Sequence, residues 1–184
     1  MQHFKLRYLI NRCTSCALSN HRTNAVPGEG DKDANLMVIA EAPGAKEDEA
    51  GKPFQGAAGK RLDKVFEEVG IRREDVFITN LLKCRPPDNR NPFPSEIEKC
   101  SGYLWKQIEL IKPYIIVTMG KYSSNFLLQI KEPMGKMRGS IYQICVDGYE
   151  PFVIPIYHPA ATLYDRKKWD TFKEDWNLVK NMLV

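Results

Sequence analysis

Leu36-Met-Val-Ile-Ala40, followed at once by Glu41-Ala-Pro-Gly44, decides how the chain is to be read. Five apolar residues closed off by a charge and a Pro-Gly pair are too short for a helix. They fit a strand covered on both faces, and such a strand belongs in a mainly parallel sheet whose crossover helices do the covering. Working outward, Val76–Thr79, Tyr114–Met119, Ile141–Val146 and Phe152–Tyr157 read as further strands of the same kind. Helical patterns lie between them. Leu62, Val65, Phe66 and Val69 recur at i, i+3, i+4 and i+7, and Gly70 stops that helix. Ser95 with Glu98 reads as a capping box just after Pro94, opening a helix to about Ile111. A third helix is predicted over Tyr122–Gln129 and a last one from about Asp165. Strands alternating with helices predict an α/β fold, three layers (α/β/α) around a central, mainly parallel sheet, with residues 1–184 as a single domain.

Composition narrows the class without naming it. The chain has 184 residues, 43% apolar and 27% charged, ordinary globular usage for one buried core. No apolar run approaches the roughly 20 residues that cross a bilayer. Met1-Gln-His-Phe-Lys-Leu-Arg lacks the apolar stretch of a secretory leader, so a cytoplasmic protein without membrane contact is expected. A net charge of +4 is too small to argue for a nucleic-acid partner alone. Its distribution says more, because Lys83, Arg85, Arg90, Lys136, Arg138, Arg166, Lys167 and Lys168 fall in or beside predicted loops where phosphates could reach them.

The polar residues that close the strands are more informative. Glu41 follows the first apolar run, Asn80 the second, Gly120 the third and His158 the last. Ligands of open α/β sheets bind beyond the carboxyl ends of the strands. A carboxylate, an amide and an imidazole would therefore meet in one pocket if those strands are parallel neighbours.

Five cysteines without an export signal argue for metal ligation over disulfides. Cys13 and Cys16 form a C-x2-C pair, whereas Cys84 and Cys100 are separated by a wide, proline-rich loop. A structural zinc usually takes two tight knuckles, and a [4Fe–4S] cube takes cysteines from scattered positions. The open second pair favours the cluster and leaves zinc as the alternative. Either would clasp the N-terminal segment to the loop after the second strand. Cys145, in the Ile141–Val146 stretch, is expected to be a small core residue.

Taken together, these motifs resemble the family 4, iron–sulfur uracil-DNA glycosylases. Ala40-Glu-Ala-Pro-Gly44 is similar to that family's first motif, with Ala40 where Gly is usual. Glu47-Asp48, Gly51-Lys-Pro-Phe-Gln-Gly56 and Ala58-Gly59 follow in the family's order. Thr79-Asn-Leu-Leu-Lys-Cys-Arg-Pro-Pro87 resembles its second signature and His158-Pro-Ala-Ala161 its last. The resemblance spans about residues 13 to 165 and implies a repair enzyme that hydrolyses the N-glycosidic bond of uracil in DNA. It implies Cys13, Cys16, Cys84 and Cys100 as ligands of a [4Fe–4S] cluster. The substrate would be uracil-containing DNA with the base turned out of the stack, and free uracil the product. The resemblance leaves room for a sliding-clamp partner, and a monomer is expected.

Roles carry over residue by residue. Phe54 would stack on the uracil ring, and Asn80 would pair with its N3–H and O4. Cytosine reverses that pattern and would leave buried groups unpaired. His158 would stabilise the charge arising at O2 as the bond breaks. Glu41 would orient water beside a cationic sugar, Ala42 would line the base site, and Glu47 would lie against C5, where thymine carries a methyl. Asn89 is a weaker candidate for a contact near the site. Leu163 is the expected wedge into the minor groove, although Thr162 stands where the family usually has Leu. Family 5 glycosylases, of broader base specificity, lack an acidic residue at the position of Glu41. A non-catalytic metal-bound nucleic-acid-binding module would have no need of the Glu41, Asn80 and His158 set.

Overall fold

The computed structural model describes residues 2–183; Met1 and Val184 of the expected 1–184 domain lie outside the described residues. In chain order the elements are α1 (Gln2–Asn11), β1 (Glu29–Gly30), β2 (Leu36–Ala40), α2 (Ala45–Ala50), α3 (Ala57–Val69), β3 (Val76–Asn80) and α4 (Pro94–Ile111). They continue as β4 (Ile115–Met119), α5 (Lys121–Leu128), α6 (Met134–Met137), β5 (Tyr142–Gln143), β6 (Phe152–Ile156) and α7 (Arg166–Met182).

The sheet runs β1-β3-β2-β4-β6-β5, with the four inner strands parallel and a two-residue antiparallel strand at each edge. Period-two alternation divides its side chains between two cores. Leu36, Val38 and Ala40 of β2 face Leu62, Val65, Phe66, Phe172 and Trp176 of α3 and α7. Met37 and Ile39 face Leu104, Ile108 and Ile111 of α4 and Leu127 of α5. Helices on both sides account for the apolar character of β2, β3 and β4, every residue of which is buried, including Thr79, Asn80 and Thr118. The chain leaves β2 for β3 on one side and returns from β3 to β4 on the other. The sheet therefore reverses direction at β2, and Glu41 stands at the mouth of that reversal.

Three local expectations are corrected. Of the Ile141–Val146 run only Tyr142–Gln143 forms a strand, at the sheet edge, and Val146 makes a single bridge to Tyr149 across a turn at Asp147 and Gly148, both at positive φ. Cys145 is exposed there, because it lies in the hairpin beyond the two-residue edge strand and away from both cores. The helix after Pro94 is capped by Glu96, whose carboxylate accepts from the Phe93 N–H at 2.8 Å, and Ser95 takes no part. Pro94 occupies the first helical position, where a missing N–H costs nothing.

Candidate active site

Beyond the carboxyl ends of β2, β3 and β6 lies a cavity of about 420 Å³. Glu41, Ala42, Glu47, Phe54, Asn80, Asn89 and His158 all line it, so the structure brings together the residues read from the sequence as base-contacting. Parallel pairing does the work: Ala40 lies opposite Asn80, and Met119 of the intervening strand lies opposite Ile156, two residues before His158. Pro43, Gly44, Ala58, Pro86, Arg90 and Ala160 complete the wall. Arg90 was read only as a loop cation, and its place here depends on a turn with Asp88 and Asn89 both at positive φ.

Each side chain has a distinct chemical state. Asn80 is buried, and no hydrogen bond joins its amide to another group among the described residues, which leaves donors and acceptor for a ligand. Burial raises the Glu41 carboxyl above the ordinary range. Burial likewise pushes the His158 imidazole down to about 4, against the opposing pull of the Glu47 carboxylate, so it is neutral at physiological pH. Its Nδ1 accepts from the Ala160 N–H at 3.2 Å. The remaining proton of a neutral ring must then sit on Nε2.

Glu47 acts on the main chain. One oxygen accepts from the N–H groups of Gln55 (2.7 Å) and Gly56 (3.0 Å), the other from Gly44 (3.1 Å). This clamp shapes the loop carrying Phe54, whose backbone is left-handed at φ 53°, a rare state for an aromatic residue. A Cβ at Gly59 would lie 1.9 Å from the Phe54 carbonyl, so Gly59 is what lets α3 approach that loop. The Phe54 ring is buried and stacks on His158, centroids 5.9 Å apart at 27°. Asp48 works similarly, accepting from Thr23 at 2.9 Å and fastening the N-terminal segment to α2.

After His158 a 3-10 turn (Pro159–Thr162) carries the chain to α7. Thr162 is fully buried and donates to the Pro159 carbonyl at 2.7 Å, a bond the usual Leu could not make. The Arg61 guanidinium donates to the carbonyls of Thr162 (3.1 Å) and Leu163 (3.3 Å) and lies over the Trp169 ring. Leu163 is half-buried, whereas Tyr164 is 99% exposed at the tip, followed by exposed Arg166, Lys167 and Lys168. Other cations of the predicted rim are committed elsewhere. Lys83 is buried, Arg138 pairs with buried Asp175, Arg90 with Glu96, and Arg85 donates to Asn89.

Cys13, Cys16, Cys84 and Cys100 line a second, smaller cavity together with Ile10, Arg22 and Tyr103. All four are free thiols. Burial raises Cys84, and it raises Cys100 to about 11 despite the nearby Lys83 ammonium. Two donors already aim at sulfur: Arg22 reaches Cys84 Sγ at 3.0 Å, and the Lys83 N–H reaches Cys100 Sγ at 3.3 Å. Among the described residues no group of three or more His, Cys, Asp or Glu side chains is arranged to hold a metal ion. Among the described residues no helix is long and apolar enough to cross a membrane.

Residues 27–180 match the family model of the uracil DNA glycosylase superfamily. The chain is 49% identical over 179 residues to a type-4 uracil-DNA glycosylase of Saccharolobus solfataricus, covering 95% of this chain and 83% of that protein. It is 44% identical over 175 residues to the type-4 enzyme of Pyrobaculum aerophilum, covering 93% and 89%. The type-5 enzyme of the same organism matches at 32% over 120 residues, covering 57% and 53%. With that coverage and the glycosylase-like sheet, the chain belongs to the uracil-DNA glycosylase superfamily, in its type-4 branch.

Proposed function

We propose that this protein excises uracil from DNA, leaving an abasic site for repair. The observation that carries the reading is the meeting of three chemically distinct groups in one base-sized cavity: the unpartnered Asn80 amide, the Glu41 carboxylate and the neutral His158 imidazole. A uracil turned out of the helix would meet the Phe54 ring and pair its N3–H and O4 with Asn80. As the C1′–N1 bond breaks, its electron pair stays on the base and spreads to O2. There the Nε2–H of His158 donates, and a neutral donor held in place serves this developing charge well. Glu41 faces the cationic sugar and orients the water whose oxygen bonds to C1′, and the proton that this water sheds balances the one the departing uracil anion takes up. Ala42 and Glu47 close the cavity beside C5, with Glu47 also fixing the loop. Leu163, with exposed Tyr164 beside it, would enter the space left in the duplex.

The four cysteines suit a [4Fe–4S] cluster: four free thiols around one cavity, Cys84 and Cys100 buried and Cys13 and Cys16 half-buried, with N–H donors directed at two sulfurs, match what such a group demands of its surroundings. When bound, the cluster supplies a brace between residues 13–16 and 84–100. The free thiols also suit the reducing cytoplasm, and the protein would act there as a monomer.

The deciding experiment is incubation with a uracil-containing oligonucleotide followed by alkali. Strand scission at the uracil is expected, and an intact strand after treatment with folded, iron-containing protein would refute the reading. A brown preparation absorbing blue light supports the cluster, and colourless protein containing zinc would replace it.

A further inference from the structure

Lys83 is an unusual residue to bury. It is 1% exposed, and its Nζ donates to Thr79 Oγ1 (2.7 Å), the Asn80 carbonyl (2.6 Å) and Gln107 Oε1 (2.7 Å). Its three N–H donors are thus matched to three uncharged acceptors, and no carboxylate pairs with it among the described residues. An ammonium held this way is costly compared with an apolar side chain of the same length. Its acceptors are themselves anchored, since Gln107 Nε2 and Thr79 Oγ1 both donate to the Pro27 carbonyl. The main chain of Lys83 is fixed as firmly, donating to Cys100 Sγ at 3.3 Å and accepting from Val26 at 2.8 Å.

Asn80 poses the problem that this network answers. Its amide must stay unpaired to read a base, so it cannot be used to hold the residue still. Placement has to come through the backbone. On one side the strand supplies it, with Leu81 N donating to the Ala40 carbonyl at 2.8 Å. On the other, the Asn80 carbonyl lies at the end of its strand and is taken by Lys83. We infer that Lys83 is a positioning residue, clamping Asn80 from behind and linking its placement to the cysteine centre through the Cys100 contact. The inference rests on the proposed role of Asn80 in binding uracil.

The test compares two ligands. Free uracil engages Asn80, whereas a duplex carrying a tetrahydrofuran abasic analogue offers no base to engage. Lys83→Met keeps the length and removes the donors. We expect about tenfold weaker binding of free uracil, the scale of one lost hydrogen bond, with binding of the abasic duplex within about twofold of wild type. Unchanged uracil affinity in folded K83M overturns the inference, and so does an equal loss for both ligands, which would mark a brace of the fold alone. If K83M does not fold, Gln107→Leu removes one acceptor while keeping Lys83 and its main-chain contact to Cys100, and is judged by the same comparison. Wild-type protein that binds no uracil would overturn the proposed function and this inference together.

Discussion

At the scale of single residues, the site depends on groups kept in states they would not hold in water. Burial lowers His158 to about 4 from an ordinary value of 6.5, so between those pH values the unfolded chain binds a proton that the folded one does not. Stability should therefore fall as pH drops from 6.5 to 4. Glu41, raised by burial, acts with the opposite sign just above pH 4.5, where the folded state is the one holding the proton. Thermal melts of wild type and His158→Gln should converge as pH is lowered through that window; a constant gap would mean His158 is not held neutral. Asn80→Asp should reduce uracil release by about a hundredfold or more, because the acidic side chain loses the donors that meet O4. Normal release by that variant would remove Asn80 from the chemistry. These residues were legible because strand ends are easy to find and their polar residues interrupt apolar runs. Lys83 and Arg90 were read as loop cations, since side-chain type alone does not reveal that Gln107, 24 residues on, or Glu96, six residues on across a turn, will claim them.

At the scale of elements, loops are set by contacts from the helices packed against them, whether adjacent in sequence, as Gly59 is to Phe54, or distant, as Arg61 is from Thr162. Gly59→Ala would drive a methyl group into the Phe54 carbonyl, and we expect a loss of about 2–3 kcal/mol by denaturant unfolding. Wild-type stability in that variant would mean that α3 can move off the loop. Arg61→Ala should release the turn after His158 from α3 and α7. Excision from duplex DNA should then fall by about tenfold, while single-stranded substrate, which needs no wedge, suffers less; equal losses on both would count against a wedge carried by this turn. The inner strands and long helices were plain from periodicity. The failures share a cause: Ile141–Val146 has strand composition without the neighbour that would cover it, and the cap at Phe93 depends on geometry that a motif search assigns to the wrong pair.

At the scale of the whole molecule, the cysteine cavity joins α1 and the segment behind it to the loop between β3 and α4. Cys84→Ser should strip colour and lower the melting temperature while leaving the sheet intact by circular dichroism, and retention of full visible absorbance would reject the ligand assignment. The meeting of Glu41, Asn80 and His158 at strand ends was read without family knowledge, whereas the strand order that reverses at β2 was not read from the sequence. The closeness of the two cavities was legible, because only Leu81, Leu82 and Lys83 separate Asn80 of one from Cys84 of the other.

Phe54 sits in its left-handed loop under the grip of Glu47 before any nucleotide arrives. A receptacle set hard in advance has little to gain from adapting to its guest, so its filling rate is governed by how often the double helix breathes. Wobble pairs open more readily than Watson–Crick pairs. Among paired substrates the enzyme would accordingly work faster on deaminated cytosine still facing guanine than on uracil facing adenine, and the former is the lesion that becomes a mutation if it survives to replication.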